Sequence, residues 1–471
     1  MPQRALRDRL IDLEVPEEDL ARGRALRKTA PRRSLAQLTP SARTATEILV
    51  DQNAGRLGEL VPLRFARMLA DPFSFYRGSA AVMAADLAAT PDAGLVVQVC
   101  GDAHISNFGG FAAPDRRLVF GPNDFDETLP GPWEWDVKRM AASIEIAARE
   151  LDLGAGRRHR IVTGAVAEYR EGMREFAAET MLQAWYERLD TDQLTARFGT
   201  RLDADSRELF GRAIAKGRRK DSARAARKLT ETVDGEPRFA SEPPLLTPLR
   251  ELAPVAGPGG HAEWVRGLFD AYAAGLHADV EHLFRSYRFV DMARKVVGVG
   301  SVGTRAWVLL FVSRGAGDPL VLQAKEAAAS VLEPHLGASE YGNHGERVVR
   351  GQRMMQAATD IFLGWQRSLG LDGRERDFYV RQLWDWKASA DLSRLSERGL
   401  VTYTRACAWS LARSHARSGD RLAIAAYLGK GARFDKAIAE FARRYADRNE
   451  ADHARLRQAI AAGELEAVEG I

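Results

Sequence analysis

The stretch Cys100-Gly101-Asp102-Ala103-His104-Ile105-Ser106-Asn107, a short strand-like run, and then Asn123-Asp124-Phe125-Asp126-Glu127 constrain this chain more than any other feature. An Asp sits at the end of a predicted strand, 95–99, with an Asn five positions on. A second Asp follows the next predicted strand, 117–120. That order meets the needs of phosphoryl transfer. Asp102 can accept or orient a hydroxyl proton, Asn107 can offer an amide oxygen to a metal, and Asp124 can offer a carboxylate to the same metal. Hard oxygen donors suit Mg²⁺, which takes one or two protein ligands and fills its shell with water and phosphate oxygens. Asp126 is a further candidate metal donor, with a substrate contact or a cap as its other readings. His104 reads as a loop-bracing histidine. Asp136, early in a predicted helix over 133–151, complements the helix N-terminus and can also brace the Asp102 loop through backbone N–H groups, two compatible roles.

A second constellation follows far downstream. Val297-Gly298-Val299-Gly300-Ser301-Val302-Gly303 contains Gly-x-Gly-x-x-Gly. In a dinucleotide fold such glycines open a helix; in a kinase-like fold they turn between two strands over nucleotide phosphates. The run 305–313 is aromatic and β-branched and ends in Gly315-Ala316-Gly317-Asp318-Pro319, which predicts a strand and a hairpin. The next strand, 320–325, delivers Lys325, where a kinase holds the α and β phosphates. Gly298, Gly300, Ser301, Gly303 and Lys325 are therefore the expected nucleotide-binding set, with Glu346 as the expected carboxylate partner of Lys325 and Glu326 and Glu333 as its competitors. The order is reversed relative to ordinary kinases, because glycine turn and lysine follow the catalytic Asp. Circular permutation is the simplest account, since it keeps the core contacts while moving the chain ends between exposed loops.

The predicted architecture is α+β, a two-lobed kinase-like fold in permuted order. It comprises an N-terminal arm (1–40), a helical catalytic lobe (41–245), a linker and connecting helix (246–284), a nucleotide-binding antiparallel β lobe (285–390) and C-terminal helices packing back on the first lobe (391–471). The proline- and glycine-rich run 236–260 is the best linker candidate. Helices are expected over 160–187, 345–366, 398–418 and 432–462, and further strands over 287–299 and 377–386. The arm reads as loosely packed with one short helix.

Among 471 residues, 68 Lys and Arg nearly cancel 64 Asp and Glu, so net charge gives no argument for nucleic acid. The basic run 213–228 reads as a solvated face. The two cysteines, Cys100 and Cys407, supply neither a disulfide framework nor a zinc site. No apolar leader and no membrane-length apolar run is evident, so a cytoplasmic protein without a membrane partner is expected.

Five stretches carry a resemblance: Phe73-Ser74-Phe75-Tyr76-Arg77-Gly78, Gly101-Asp102-Ala103-His104, Asn123-Asp124-Phe125-Asp126-Glu127-Thr128, Gly131-Pro132-Trp133-Glu134-Trp135-Asp136 and Val348-Val349-Arg350-Gly351-Gln352-Arg353. Over nearly its whole length the chain resembles the bacterial family called domain of unknown function 2252, a name that implies no reaction. More distantly, Gly101-Asp102, Asn107 and Asp124 resemble the aminoglycoside-phosphotransferase branch of kinase-like enzymes, with Cys100 where that branch has histidine. This resemblance implies Asp102 as catalytic base, Asn107 and Asp124 as Mg²⁺ ligands and Lys325 as a phosphate-binding residue. The expected function is ATP- and Mg²⁺-dependent phosphoryl transfer to an unidentified hydroxyl-type acceptor, small molecule or protein. AMP transfer at the same site, or nucleotide binding without turnover, are the alternatives.

Overall fold

The valine- and aromatic-rich runs on either side of Gly315 form the centre of a six-stranded antiparallel sheet. The computed structural model describes residues 16–201, 203–252, 260–296, 298–315 and 317–468. In chain order the strands are β1 (Val96–Val99), β2 (Phe108–Ala112), β3 (Leu118–Pro122), β4 (Leu129–Pro132), β5 (Leu189–Asp190), β6 (Thr230–Val233) and β7 (Glu236–Phe239). There follow β8 (Leu246–Pro248), β9 (Tyr287–Lys295), β10 (Ala306–Ser313), β11 (Pro319–Ala327), β12 (Gly364–Leu369) and β13 (Glu375–Gln382). The large sheet has the order β12-β13-β11-β10-β9-β8. Strands β10 and β11 form the expected hairpin, with Val312 opposite Pro319 and Ala306 opposite Lys325. β1 pairs with β4, and β2, β3 and β5 form a separate small sheet. The fold is α+β with antiparallel pairing throughout.

Both faces of the large sheet are covered, which is why β10 and β11 run apolar instead of alternating. On one face Met292, Trp307, Leu309, Phe311, Leu322 and Val380 pack with Tyr272 and Phe284 of helices Gly260–Ala274 and Ala278–Phe284. On the other, Val290, Val308, Leu310 and Val321 pack on Ala225 and Leu229 of helix Ser222–Leu229. Residues 236–284 are thus more than a connector. They supply β7, the edge strand β8 and a covering layer, while 253–259 lie outside the described residues.

The helical part is built around Trp133–Glu150, whose side chains are buried along almost its whole length. Trp133 stacks on Tyr169 at 5.7 Å and meets Phe434 and Tyr427. Helices Ala155–Ala178, Glu397–Ser418 and Arg433–Ala461 surround it. The first described helix, Pro16–Thr29, is docked, contrary to the expectation of a loose arm. A Cβ on Gly23 would fall 2.1 Å from the Ala423 carbonyl, and Arg27 Nε donates to Tyr427 O at 2.9 Å. The helix expected over 345–366 ends early, at Met355, where Gln356 turns extended, and β12 follows to pair with β13.

Arg347 ties helix His344–Met355 to the loops beneath the sheet. Its buried guanidinium donates to Thr128 O at 2.7 Å, Asp126 O at 2.9 Å and Ala328 O at 2.9 Å. Beside it, Glu127 Oε2 accepts from Val331 N at 2.8 Å and Glu127 O from Ser330 Oγ at 2.8 Å. Burial pushes the Glu127 carboxyl up to about 7, against the Val331 N–H and Arg347, which both favour its charged form.

Two outcomes are expected. Arg347→Met strands three carbonyls and should destabilise the fold by about 3 kcal/mol in chemical denaturation; a loss below about 1 kcal/mol would contradict this role. For Glu127, the native state keeps a proton that the unfolded chain releases near its ordinary 4.5. Its contribution is therefore complete below about 4.5 and declines as pH rises through about 7. Glu127→Gln should flatten that decline, gaining on the order of 1–3 kcal/mol relative to the parent between pH 5 and 8.

Candidate functional site

Gly101 turns the chain out of β1 with a φ of 82°, and a Cβ there would meet Glu127 O at 2.4 Å, so the position accepts only glycine. The turn is held from behind by Asp136, in the first turn of helix Trp133–Glu150. Its carboxylate accepts from Cys100 N at 2.8 Å and Gly101 N at 3.0 Å. His415 Nε2 lies 3.2 Å from Asp136 Oδ2, and Tyr169 Oη lies 2.9 Å from His415 Nδ1.

One helical turn after Asp136, Arg139 reaches the Asp102 side chain, Nε to Oδ1 at 2.8 Å. Arg139 also donates to Tyr76 O at 2.6 Å and stacks over the Tyr76 ring at 3.8 Å. Burial works against its charge, but Tyr76 and Asp102 outweigh it, so its pKa rises. Asp102 moves up from the ordinary carboxylate value, burial outweighing Arg139 and Arg77. Its Oδ2 stands 3.7 Å from His104 Nε2. Burial, Arg139 and Arg77 hold the His104 pKa well below the usual range, and its buried Nδ1 finds no hydrogen-bond partner. The ring packs edge-on to Phe73. His104 braces the loop through its backbone instead: its N–H donates to Asp102 O at 2.9 Å and its carbonyl accepts from Asn107 N at 2.8 Å.

Asn107 Nδ2 donates to Asp102 O at 3.0 Å, and Asn107 O accepts from Asn123 N at 3.0 Å. The second contact brings the Asp124 loop alongside Asn107. Asp124 Oδ1 accepts only a long contact from Asp126 N, 3.3 Å. Burial and then Asp126 raise the Asp124 pKa, partly offset by Lys325 and Arg381.

Lys325, in the middle of the large sheet, ion-pairs with Asp126 Oδ2 at 2.5 Å, and Tyr379 Oη donates to Asp126 Oδ1 at 2.5 Å. Burial opposes the Lys325 charge, yet Asp126, Tyr379 and Asp124 raise its pKa. The Asp126 pKa falls, because Lys325 overcomes the effect of burial. Both Asp126 oxygens are thus engaged, and Asp126 is the carboxylate partner of Lys325. Glu346 is not that partner. It sits in the first turn of helix His344–Met355 and accepts from Arg350 Nε at 2.6 Å. Arg381 donates to Asn123 O at 3.2 Å and extends the cationic edge.

The Gly298–Gly303 segment joins β9 to β10, and no helix follows it, which removes the dinucleotide reading; Val297 lies outside the described residues. Gly298 O accepts from Arg67 Nη1 at 2.6 Å and Gly303 O from Leu57 N at 2.8 Å, while Val302 is buried beside Leu60 and Leu63. Ser301 O closes a turn by accepting from Thr304 Oγ1 at 2.8 Å. A Cβ on Gly300 would lie 3.3 Å from Arg77 O, so the turn reaches the helix that carries Arg77. The Arg77 guanidinium makes no hydrogen bond among the described residues, and its charge acts on Asp102 and His104.

Sequence reasoning missed Arg139, Tyr379 and Arg381. The signals were present but weak. Arg139 lies three residues after Asp136 on the same helix face, and Tyr379 and Arg381 share the strand parity that faces Lys325 across β11–β13. Among the described residues no group of three or more His, Cys, Asp or Glu is arranged to hold a metal ion. Cys100 and Cys407 are buried free thiols, and among the described residues no helix is long and apolar enough to cross a membrane.

A family model described as an uncharacterized protein conserved in bacteria (DUF2252) matches residues 56–459. No curated protein and no solved structure matches the chain. The matched span holds the Asp102 turn, the Asp124–Asp126 loop, the glycine segment and Lys325 together, and the chain belongs to the bacterial DUF2252 family.

Proposed function

We propose that this chain is an ATP- and Mg²⁺-dependent phosphotransferase, built as a kinase-like fold with its two lobes in permuted order and acting on a hydroxyl-type acceptor. The observation that carries the reading is the meeting of Lys325, on an antiparallel strand after a glycine turn, with the Asp124–Asp126 loop. That loop is itself hydrogen-bonded to the turn bearing Asp102 and Asn107.

In this reading Lys325, Arg381 and the unpartnered Arg77 offset the charge of the nucleotide phosphates. The glycine segment covers them, and Asp102 receives or aligns the acceptor proton through Oδ2 while Arg139 fixes Oδ1. The Asn107 amide oxygen and the Asp124 carboxylate fit Mg²⁺. They are hard donors on adjacent loops, Asp124 is lightly hydrogen-bonded, and Mg²⁺ takes few protein ligands. When bound, that ion would neutralise phosphate charge. The three-carboxylate cluster of an all-protein cage is not required for this. The chain's own contribution is positioning and fixed charge, which is most of what phosphoryl transfer asks of a protein.

Asp102→Asn should lower ATP turnover by about 10²–10⁴-fold while nucleotide affinity in calorimetry stays near that of the parent. Undiminished turnover would reject the assignment. Asp124→Asn should abolish Mg²⁺-dependent nucleotide binding with little loss of stability. Asp126→Ala should instead destabilise the fold by about 3–5 kcal/mol, because it leaves the Lys325 ammonium buried without its anion. Equal stability losses in the two variants would contradict the division of labour between these carboxylates.

A further inference from the structure

Next to the Asp102–Asp126 centre, and sharing none of its residues, lies a cavity of about 690 Å³. It is bordered by the β2–β3 hairpin, helices Thr191–Phe198 and Ala204–Arg218, and the stretch 387–406. Its walls are mainly apolar, among them Leu118, Phe120, Leu194, Phe198, Phe210 and Tyr403. Tyr403 turns its ring to the cavity while its hydroxyl donates to Ile105 O at 2.7 Å and Phe108 O at 3.0 Å, on either side of Asn107. The wall is therefore anchored to the loop of the candidate phosphoryl site.

Three lysines also line the cavity: Lys216, Lys220 and Lys387. Among the described residues none of their amines makes a hydrogen bond or ion pair. Two carboxylates in the lining are already engaged, Asp190 by Arg117 Nη1 at 3.0 Å and Asp391 by Ser393 Oγ at 2.7 Å. Lys387 is held in place by the pairing of Ala388 with Gly110 on β2. Its side chain is exposed and lines the cavity; desolvation by the surrounding protein and then Arg381 push its amine down to about 8, against Asp124. The charges acting on it, Arg381, Asp124, Lys325 and Lys220, belong to the phosphoryl site or to the cavity itself. Apolar walls ending in unpaired cations are matched by a ligand with an apolar body and an anionic head.

We propose that this cavity binds an anionic amphiphile, an acyl or comparable apolar chain with a carboxylate or phosphate head, its chain among Leu194, Phe198 and Phe210 and its head at Lys387. Its binding does not depend on the function proposed above.

Calorimetry on the full chain, without nucleotide and below micellar concentrations, tests it with four probes: dodecanoate, dodecyl phosphate, dodecanol and dodecyltrimethylammonium. At least one anionic probe should bind about tenfold or more tighter than dodecanol and the cationic probe; which anion wins identifies the head. Lys387→Met should remove that preference. Thr195→Trp, on an exposed position of the lining, should fill the space and abolish binding while the melting transition stays intact. Lack of uptake of any probe by folded protein would overturn the proposal. So would binding indifferent to head charge and to both substitutions. A Thr195→Trp variant that loses ATP affinity while keeping the amphiphile would give the cavity to the nucleotide base and overturn it equally. Because no ATP is present in the probe titrations, these results stand apart from the turnover assays on Asp102.

Discussion

A lysine at the centre of a sheet covered on both faces must find an anion, and that requirement organises this molecule. Lys325 meets Asp126 across a sequence separation of 199 residues. The pair joins the large sheet to the loop that follows the Gly-Asp turn. Desolvation makes such a pair expensive unless the remaining lone pairs and protons are satisfied. Here Tyr379 takes the second Asp126 oxygen, and Arg347 takes the Asp126 carbonyl. The charge network is closed on this side, while next to it Asp124 accepts only a 3.3 Å contact from Asp126 N and Arg77 makes no hydrogen bond among the described residues.

One helix supplies the second anchor. Asp136 and Arg139, a turn apart on Trp133–Glu150, hold respectively the backbone and the side chain of the Asp102 turn. Because this helix is buried along its length, neither anchor has room to drift. The arrangement separates tasks among neighbouring carboxylates. Asp136 bears on structure, Asp126 neutralises a lysine, and Asp102 and Asp124 keep oxygens in reserve. Their environments push Asp124 up and Asp126 down, as expected when two carboxylates share one field and only one has a cation in contact.

Much of the local structure could be read from residue pattern. The β-branched runs around 290–327 do form adjacent antiparallel strands, and the glycine segment does turn between two of them. The misreadings have physical causes. A helical pattern continued past Met355 because Ile361, Phe362 and Leu363 extend the apolar spacing, although the chain there turns at Asp360, whose carboxylate caps Phe362 N and Gln382 N. The proline-rich 236–252 looked like linker because prolines forbid central strands; Pro237 and Pro248 instead sit in short peripheral strands, where that loss of a donor is tolerated. The place of Glu346 on the following helix favours it for Lys325, but it points to Arg350 on its own helix face.

The sequence by itself determined the chemistry on offer: an Asp, an Asn and a second Asp at short spacing, a glycine turn between strands, and a lysine one strand later. These are local properties, set by turns and strand parity over a few residues. Which groups answer one another was decided only by the tertiary structure. The choice of Asp126 over Glu346 and the grip of Arg139 on Asp102 depend on where buried charges find partners once water is excluded. That is a property of the packed interior, and no spacing along the chain encodes it.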